Sequence, residues 1–328
     1  MAKLQLTMAC QEYDRTTALF SGLVQPEGID LNVIKLGPEE IFWRQLQNEE
    51  FDICEFSNSS YFILRARGDD RFISLPVFVS RKFRHSEIWI NKDAGIKSPQ
   101  DLKGKAVGVP DYTMTATVFI RGMLQHEYGV NPTDIHWYYG GQDTPGREQR
   151  IATPTLPKEL KLEKVPHKTL SDMLEKGEIS AMIGARAPKC FREGSPKIGL
   201  LFPDYMELEK AYFKKTGIYP IMHNIVIRKA VLDRYPWVAQ SLYKAFCEAK
   251  DICQQAIPNT TAPVYMLPWL IPAYEEAVEI LGQDYWPYGI EPNRKTLEAL
   301  ALYVYEQGLA ARKLDIDEVY ISSVPYKI

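Results

Sequence analysis

Apolar and polar positions along the first ninety residues switch between two rhythms. Residues 3–9 (KLQLTMA) and 30–36 (DLNVIKL) alternate with period two, as half-buried strands do. Residues 14–23 between them read as a helical segment, followed by a turn at 26–28. Pro38 falls where the first turn of a helix tolerates it, and Ile41, Phe42, Gln45 and Leu46 then share one face. Residues 51–56 form a short buried strand, and SNSS (57–60) offers caps for a helix over 61–67. Strands and helices alternating at these lengths predict an α/β sheet with ligands at the carboxyl ends of strands.

The stretch PVFVSRKFRHSEIWIN (76–91) organises the rest. Its apolar run ends at Val79, Arg81, Lys82 and Arg84 follow, and alternation resumes after His85. Read as a strand, it puts His85 and Glu87 on one face. From Ile96 the pattern restarts. KAVGVP is a strand, and residues 111–128 are a helix whose opening presents Tyr112, Thr113 and Thr115 beside free backbone N–H groups. Residues 135–139 form a further strand, and the following segment to 157 reads as a loop carrying Arg147. A quasi-repeat links FWRQLQNEEFDICEFSNSS to LSDMLEKGEISAMIGARAP, each an amphipathic turn, a short strand and a small-residue loop. PIMHNIVIR (220–228) is strand-like with His223 near its start, and helices over 231–256, 274–281 and 296–309 complete the chain.

At 328 residues the chain exceeds the usual reach of one core, which predicts two lobes. A net charge of −3 excludes broad nucleic-acid binding and makes the 81–84 cluster a local feature. No apolar run approaches the ~18 residues that span a bilayer. The N-terminus reads as a strand and not as an export signal, and the five cysteines form no CxxC or zinc spacing. Both point to a cytoplasmic protein. The apolar C-terminal helices leave room for a homo-oligomer.

PVFVSRKFRHSEIWIN, DLKGKAVGVPDYTMTATVFIRG, HWYYGGQDTPGR, TLSDMLEKGEISAMIGARAP and TGIYPIMHNIVIRKAVLDRYPWVAQSL together resemble the 4,5-dihydroxyphthalate decarboxylases. The resemblance runs from about residue 51 to the C-terminal WPYG and EQGL. SRxFRH and PIMH are its specific blocks, whereas DLKGK-x-VGV resembles most solute-binding proteins of one fold. It implies a two-lobed, periplasmic-binding-protein-like type II architecture, with mixed sheets, two crossover strands and a C-terminal helical segment. Lobe 1 would be 1–92 plus 226–328 and lobe 2 93–225, with the ligand between them. It implies a carboxy-lyase converting 4,5-dihydroxyphthalate to 3,4-dihydroxybenzoate by ring-carbon protonation.

The chemistry assigns candidates. Arg81, Arg84 and Arg147 would clamp carboxylates, since guanidinium binds them bidentately. Thr113 and Thr115 would bind the second carboxylate, and Tyr112, Asn58 and Ser60 the hydroxyls. His85 is the first proton donor, Glu87 its orienting partner and His223 the second titrating candidate. Each has a bland alternative: surface ion pairs for the arginines, helix capping for Thr113, Thr115, Asn58 and Ser60, and buried structural histidines for His85 and His223. His126, His136 and His167 read as structural. A His85–Glu87–His223 metal site is a weaker alternative, and no organic cofactor is expected. Two other functions remain open: a non-catalytic binding protein or sensor for an aromatic carboxylate, and another enzyme on this fold such as those of the futalosine route.

Overall fold

The computed structural model describes residues 2–153 and 156–321. Strand β1 (Leu4–Cys10) leads to a 3-10 turn (Asp14–Thr16) and a single helical turn, α1 (Thr17–Phe20), where a longer helix was expected. β2 (Ile29–Lys35), α2 (Pro38–Asn48), β3 (Ile53–Ser57), α3 (Asn58–Ala66) and β4 (Phe72–Arg81) follow. The chain crosses to a second lobe through a 3-10 turn (His85–Glu87) and β5 (Ile88–Asn91). That lobe contains β6 (Ala106–Val109), α4 (Thr115–Tyr128), β7 (His136–Gly140), β8 (Lys161–Val165) and α5 (Leu170–Lys176). β9 (Ala181–Ile183), α6 (Lys189–Arg192), β10 (Ile198–Leu200) and α7 (Tyr205–Thr216) complete it. β11 (Ile221–Arg228) returns, and α8 (Lys229–Arg234), α9 (Val238–Ala256), α10 (Leu270–Leu281), α11 (Arg294–Glu306) and α12 (Ile316–Val319) form the C-terminal helical segment.

The strands make two mixed sheets, ordered β2-β1-β3-β11-β4 and β10-β5-β9-β6-β7-β8. In the first, β1 lies parallel to β2 and β3, while β11 runs antiparallel between β3 and β4. In the second, β6 lies parallel to β7 and β9, and β5 runs antiparallel between β9 and β10. The two halves of the quasi-repeat thus occupy equivalent places: α2–β3 and α5–β9 each lead to the strand beside the antiparallel one. The sheets divide the chain earlier than 92/93 and 225/226. β5 already pairs in the second sheet, and β11 is in the first from Ile221.

Two local differences have simple causes. Tyr235, which precedes Pro236, leaves the helical region (φ −137°, ψ 69°) and splits the expected 231–256 helix into α8 and α9. The carboxylate of Asp111 accepts from Thr113 N (2.8 Å) and Thr113 Oγ1 (2.7 Å), a tight turn that delays α4 to Thr115.

The crossover is the third difference. His85–Glu87 is a 3-10 turn, so residues two apart do not share a face as they would on a strand. His85 is buried edge-on against Phe202 and Tyr212 (5.4 Å each), and its backbone N–H donates to Glu209 Oε1 at 3.1 Å. Burial pulls its pKa down to about 4. Glu87 is engaged by Lys82 and does not orient the ring.

Helix α11 packs against both α3 and α4. Gln307, just beyond it, donates to Val118 O (2.9 Å) and accepts from Arg121 Nε (2.9 Å). Gly122 on α4 has no room for a side chain, because a Cβ there would overlap the Tyr303 ring. Gly122→Ala should therefore destabilise the protein by about 1–3 kcal/mol, seen as a lowered urea midpoint. An unchanged midpoint would contradict this close approach.

His85 generates a second prediction. Above pH 6.5 it is neutral in both folded and unfolded chains and contributes no pH dependence. Between 6.5 and about 4 only the unfolded chain takes up the proton, so stability falls as pH falls. Urea unfolding at pH 7 and 4.5 should show this loss reduced by about 2–3 kcal/mol in His85→Phe.

Candidate active site

A cleft of about 320 Å³ lies between the lobes, lined from both sides. Lobe 1 supplies Glu39 and Phe42 of α2, Ser57 at the end of β3, and Met222 and His223 of β11. Lobe 2 supplies Met114, Thr115 and Ala116 at the start of α4, Arg150, and Ala185 and Arg186 after β9. Arg84 enters from the crossover turn. Arg84 and His223 therefore sit on the two segments that join the lobes, where Lys82 N donates to Pro220 O at 3.1 Å.

His223 is tied to a buried carboxylate. Its Nδ1 donates to Glu55 Oε1 at 2.6 Å, leaving Nε2 for the cleft, and its ring meets Phe42 edge-on at 5.0 Å. Glu55, on β3, has no solvent exposure. Burial pushes its pKa up, but His223, Tyr13 Oη (2.6 Å) and the Gln11 N–H (2.9 Å) outweigh that and hold it below the usual range. Cys10 Sγ completes the shell at 3.6 Å. A charged residue inside the apolar run ICEFS was the signal that sequence reasoning passed over.

Positive charge gathers opposite. Arg84 is buried, donates Nε only to Met222 Sδ (3.2 Å), and has Nη1 without a partner among the described residues. Burial lowers its pKa to about 10, which leaves it charged at neutral pH and in want of an anion. Arg150 lies over the Phe42 ring at 5.1 Å, and Arg186 is exposed at the loop after β9. Two helix N-termini, one per lobe, meet beside them. Ser57 Oγ bonds Thr115 Oγ1 at 3.0 Å, and Ser59 N donates to Thr115 Oγ1 at 3.0 Å. Helix α4 carries no side-chain cap, so its first N–H groups open on the cleft.

Of the residues singled out from sequence, the cleft brings together Arg84, Thr115 and His223. Arg81 is a structural cation: it donates to Pro287 O (2.9 Å) and to Asn293 Oδ1, and lies over Phe78 and Tyr219. Arg147 stands at the mouth, paired with Glu39 at 3.2 Å. Thr113 is spent on Asp111, and Tyr112 is buried under Arg121, whose guanidinium lies 3.6 Å above its ring. Asn58 accepts from Tyr320 Oη (3.2 Å), and Ser60 donates to Ser57 Oγ (3.1 Å), both in the core. Since His85 and Glu87 lie on the crossover turn and His223 on Glu55, the three do not form one metal site. Among the described residues no group of three or more His, Cys, Asp or Glu is arranged to hold a metal ion. Glu55, Ser57, Arg150 and Arg186 were not anticipated, although the quasi-repeat had paired the loops that carry Ser57 and Arg186.

Comparison with known proteins is consistent with this geometry. Residues 17–145 match the family described as "ABC transporter, phosphonate, periplasmic substrate-binding protein". Among solved structures, the periplasmic aliphatic sulphonate binding protein SsuA from Escherichia coli aligns with a TM-score of 0.55 at 14% identity, covering 97% of each chain. The desulfurization enzyme DSZB aligns with a TM-score of 0.50 at 15% identity, over 98% of this chain and 97% of that one. These likenesses give the fold, a two-lobed α/β binding-protein architecture. Sequence relatives go further. The 4,5-dihydroxyphthalate decarboxylase of Comamonas testosteroni is 39% identical over 321 residues, 98% of this chain and 97% of its own. That of Pseudomonas putida is 44% identical over 205 residues, 62% of this chain and 79% of its own. The chain belongs to the 4,5-dihydroxyphthalate decarboxylase family, whose members are carboxy-lyases.

Proposed function

We propose that this chain decarboxylates a hydroxylated aromatic dicarboxylate, 4,5-dihydroxyphthalate, to 3,4-dihydroxybenzoate, with His223 as proton donor. The observation that carries the assignment of roles is the Glu55–His223 pair lining one cleft with Arg84, whose Nη1 has no partner among the described residues. Arg84 and Arg150, with the N-terminus of α4, take the two carboxylates. Arg186 adds charge from the exposed side. Positive charge alone would equally serve a plain receptor, so the imidazole decides the chemistry.

The substrate supplies its own electron source. The hydroxyl para to the departing carboxylate pushes density into the ring, and the carbon bearing that carboxylate takes a proton from His223 Nε2. The ring–carboxylate bond then breaks, its electron pair restores the aromatic sextet, and carbon dioxide leaves. Neutral His223 regains its proton from solvent. Glu55 fixes the ring tautomer and supplies a counter-charge while the imidazole is protonated. This route requires no organic cofactor or metal. We also place the protein in the cytoplasm, in the degradation of phthalates, a setting that its five free cysteines fit.

Incubation with 4,5-dihydroxyphthalate should release one carbon dioxide per 3,4-dihydroxybenzoate formed; stoichiometric binding without release would overturn the proposal. His223→Gln should lower kcat by about 10²–10⁴ with KM changed only a few-fold. Arg84→Gln should weaken binding of the dicarboxylate by about 1.5–3 kcal/mol and of catechol far less, measured by calorimetry. Equal losses for both ligands would remove Arg84 from carboxylate binding.

A further inference from the structure

Beside the cleft lies a second cavity of about 320 Å³, which shares Glu39 and Arg150 with it. Trp43, Gly146, Arg147 and Glu148 complete its lining. Phe42 and Trp43 are successive residues of α2, about 100° apart around the helix. Phe42 packs on His223 inside, while Trp43 is 54% exposed and lines the outer chamber.

Two carboxylates, Glu39 and Glu148, and two guanidinium groups, Arg147 and Arg150, line the outer chamber, and Lys164 reaches in from outside it. Glu148 is taken by Lys164. That leaves Glu39 as the carboxylate facing two guanidinium groups, Arg147 and Arg150. Glu39 holds Arg147 at 3.2 Å with its side chain 60% exposed, the kind of water-facing pair that an incoming anion displaces at little cost. Burial lowers the pKa of Arg150, and the like charge of Arg147 works in the same direction against Asp111. A flat apolar ring beside two cations matches an aromatic acid.

We infer that this outer chamber is a second subsite for an aromatic carboxylate, with Trp43 against the ring and Arg147 on the carboxylate in exchange for Glu39. The inference rests on reading the inner cleft as an aromatic-acid site. Arg150, which lines both chambers, is the group that passes a carboxylate between them. The chain then holds two aromatic acids at once, one at Arg84 and one at Trp43.

Phthalate tests this, because it lacks the hydroxyl that drives loss of the carboxylate and so binds without turnover. Calorimetric titration of the whole protein should show two saturable events. Trp43→Ala should weaken the second about three- to ten-fold, and Arg147→Gln about ten-fold, each leaving the first in place. Arg84→Gln should do the reverse. A single event in the wild type, or a second event untouched by both outer variants, would overturn the subsite. Two events in a protein that releases no carbon dioxide from 4,5-dihydroxyphthalate would uphold the subsite and reject the proposed activity.

Discussion

A carboxylate without solvent contact is the constraint on which the site depends. Removing a carboxylate from water costs several kcal/mol, so Glu55 persists as an anion only because donors surround it. Those donors come from separate parts of the chain: Gln11 and Tyr13 beyond β1, Cys10 at its end, and His223 on β11. Satisfying Glu55 therefore fixes the ends of three adjacent strands and sets the imidazole at the cleft. Loss of any donor leaves charge exposed to a poor solvent, which ties the stability of lobe 1 to the geometry of its candidate proton donor.

The two arginines of the crossover show how one local sequence divides between structure and ligand. Arg81 gives Nη2 to Pro287 O and Asn293 and lies over two aromatic faces, with only its Nε buried without a partner among the described residues. Arg84, three residues on, finds only a thioether and keeps an idle Nη1. Burial lowers both pKa values to about 10, so exposure does not distinguish them. Partnership does. A buried guanidinium without an acceptor is destabilising unless a ligand supplies one, which is the role proposed for Arg84.

Much of the architecture was legible because it rests on periodicity and repetition. Alternation located β1, β2 and β11, and the quasi-repeat paired β3 with β9 and the loops that carry Ser57 and Arg186. The site was less legible, for reasons particular to each residue. His85 and Glu87 read as neighbours on a strand, but the chain turns there to change lobes, and a 3-10 turn points them apart. Glu55 was hidden by its apolar neighbours, since a strand of five wholly buried residues has no outward face on which a charge would be expected. Tyr112 and Thr113 stood at an apparent helix start that Asp111 converts into a turn. Arg150 sits in a loop whose conformation no short-range pattern specifies. The turns at His85 and Asp111 are local, whereas the partners of Glu55 and the place of Arg150 are set by contacts far apart in the sequence.

The contacts joining the lobes differ in strength from one side to the other. At the back, α11 grips α3 and α4, Gln307 bonds buried groups, and Arg121 would lose its fully enclosed position if the helices parted. At the front, Arg147 meets an exposed Glu39, and Arg67 reaches Ala152 O at 2.6 Å from a water-facing position. Breaking an exposed ion pair costs about 0–1 kcal/mol, whereas parting α11 from α4 uncovers the Tyr303–Gly122 contact and breaks the buried bonds of Gln307. Motion that admits a ligand therefore belongs to the front, where α2 and the segment before residue 153 face each other. The group released when they separate is Arg147, beside Trp43, so an exposed joint between the lobes coincides with the outer subsite inferred for an aromatic acid.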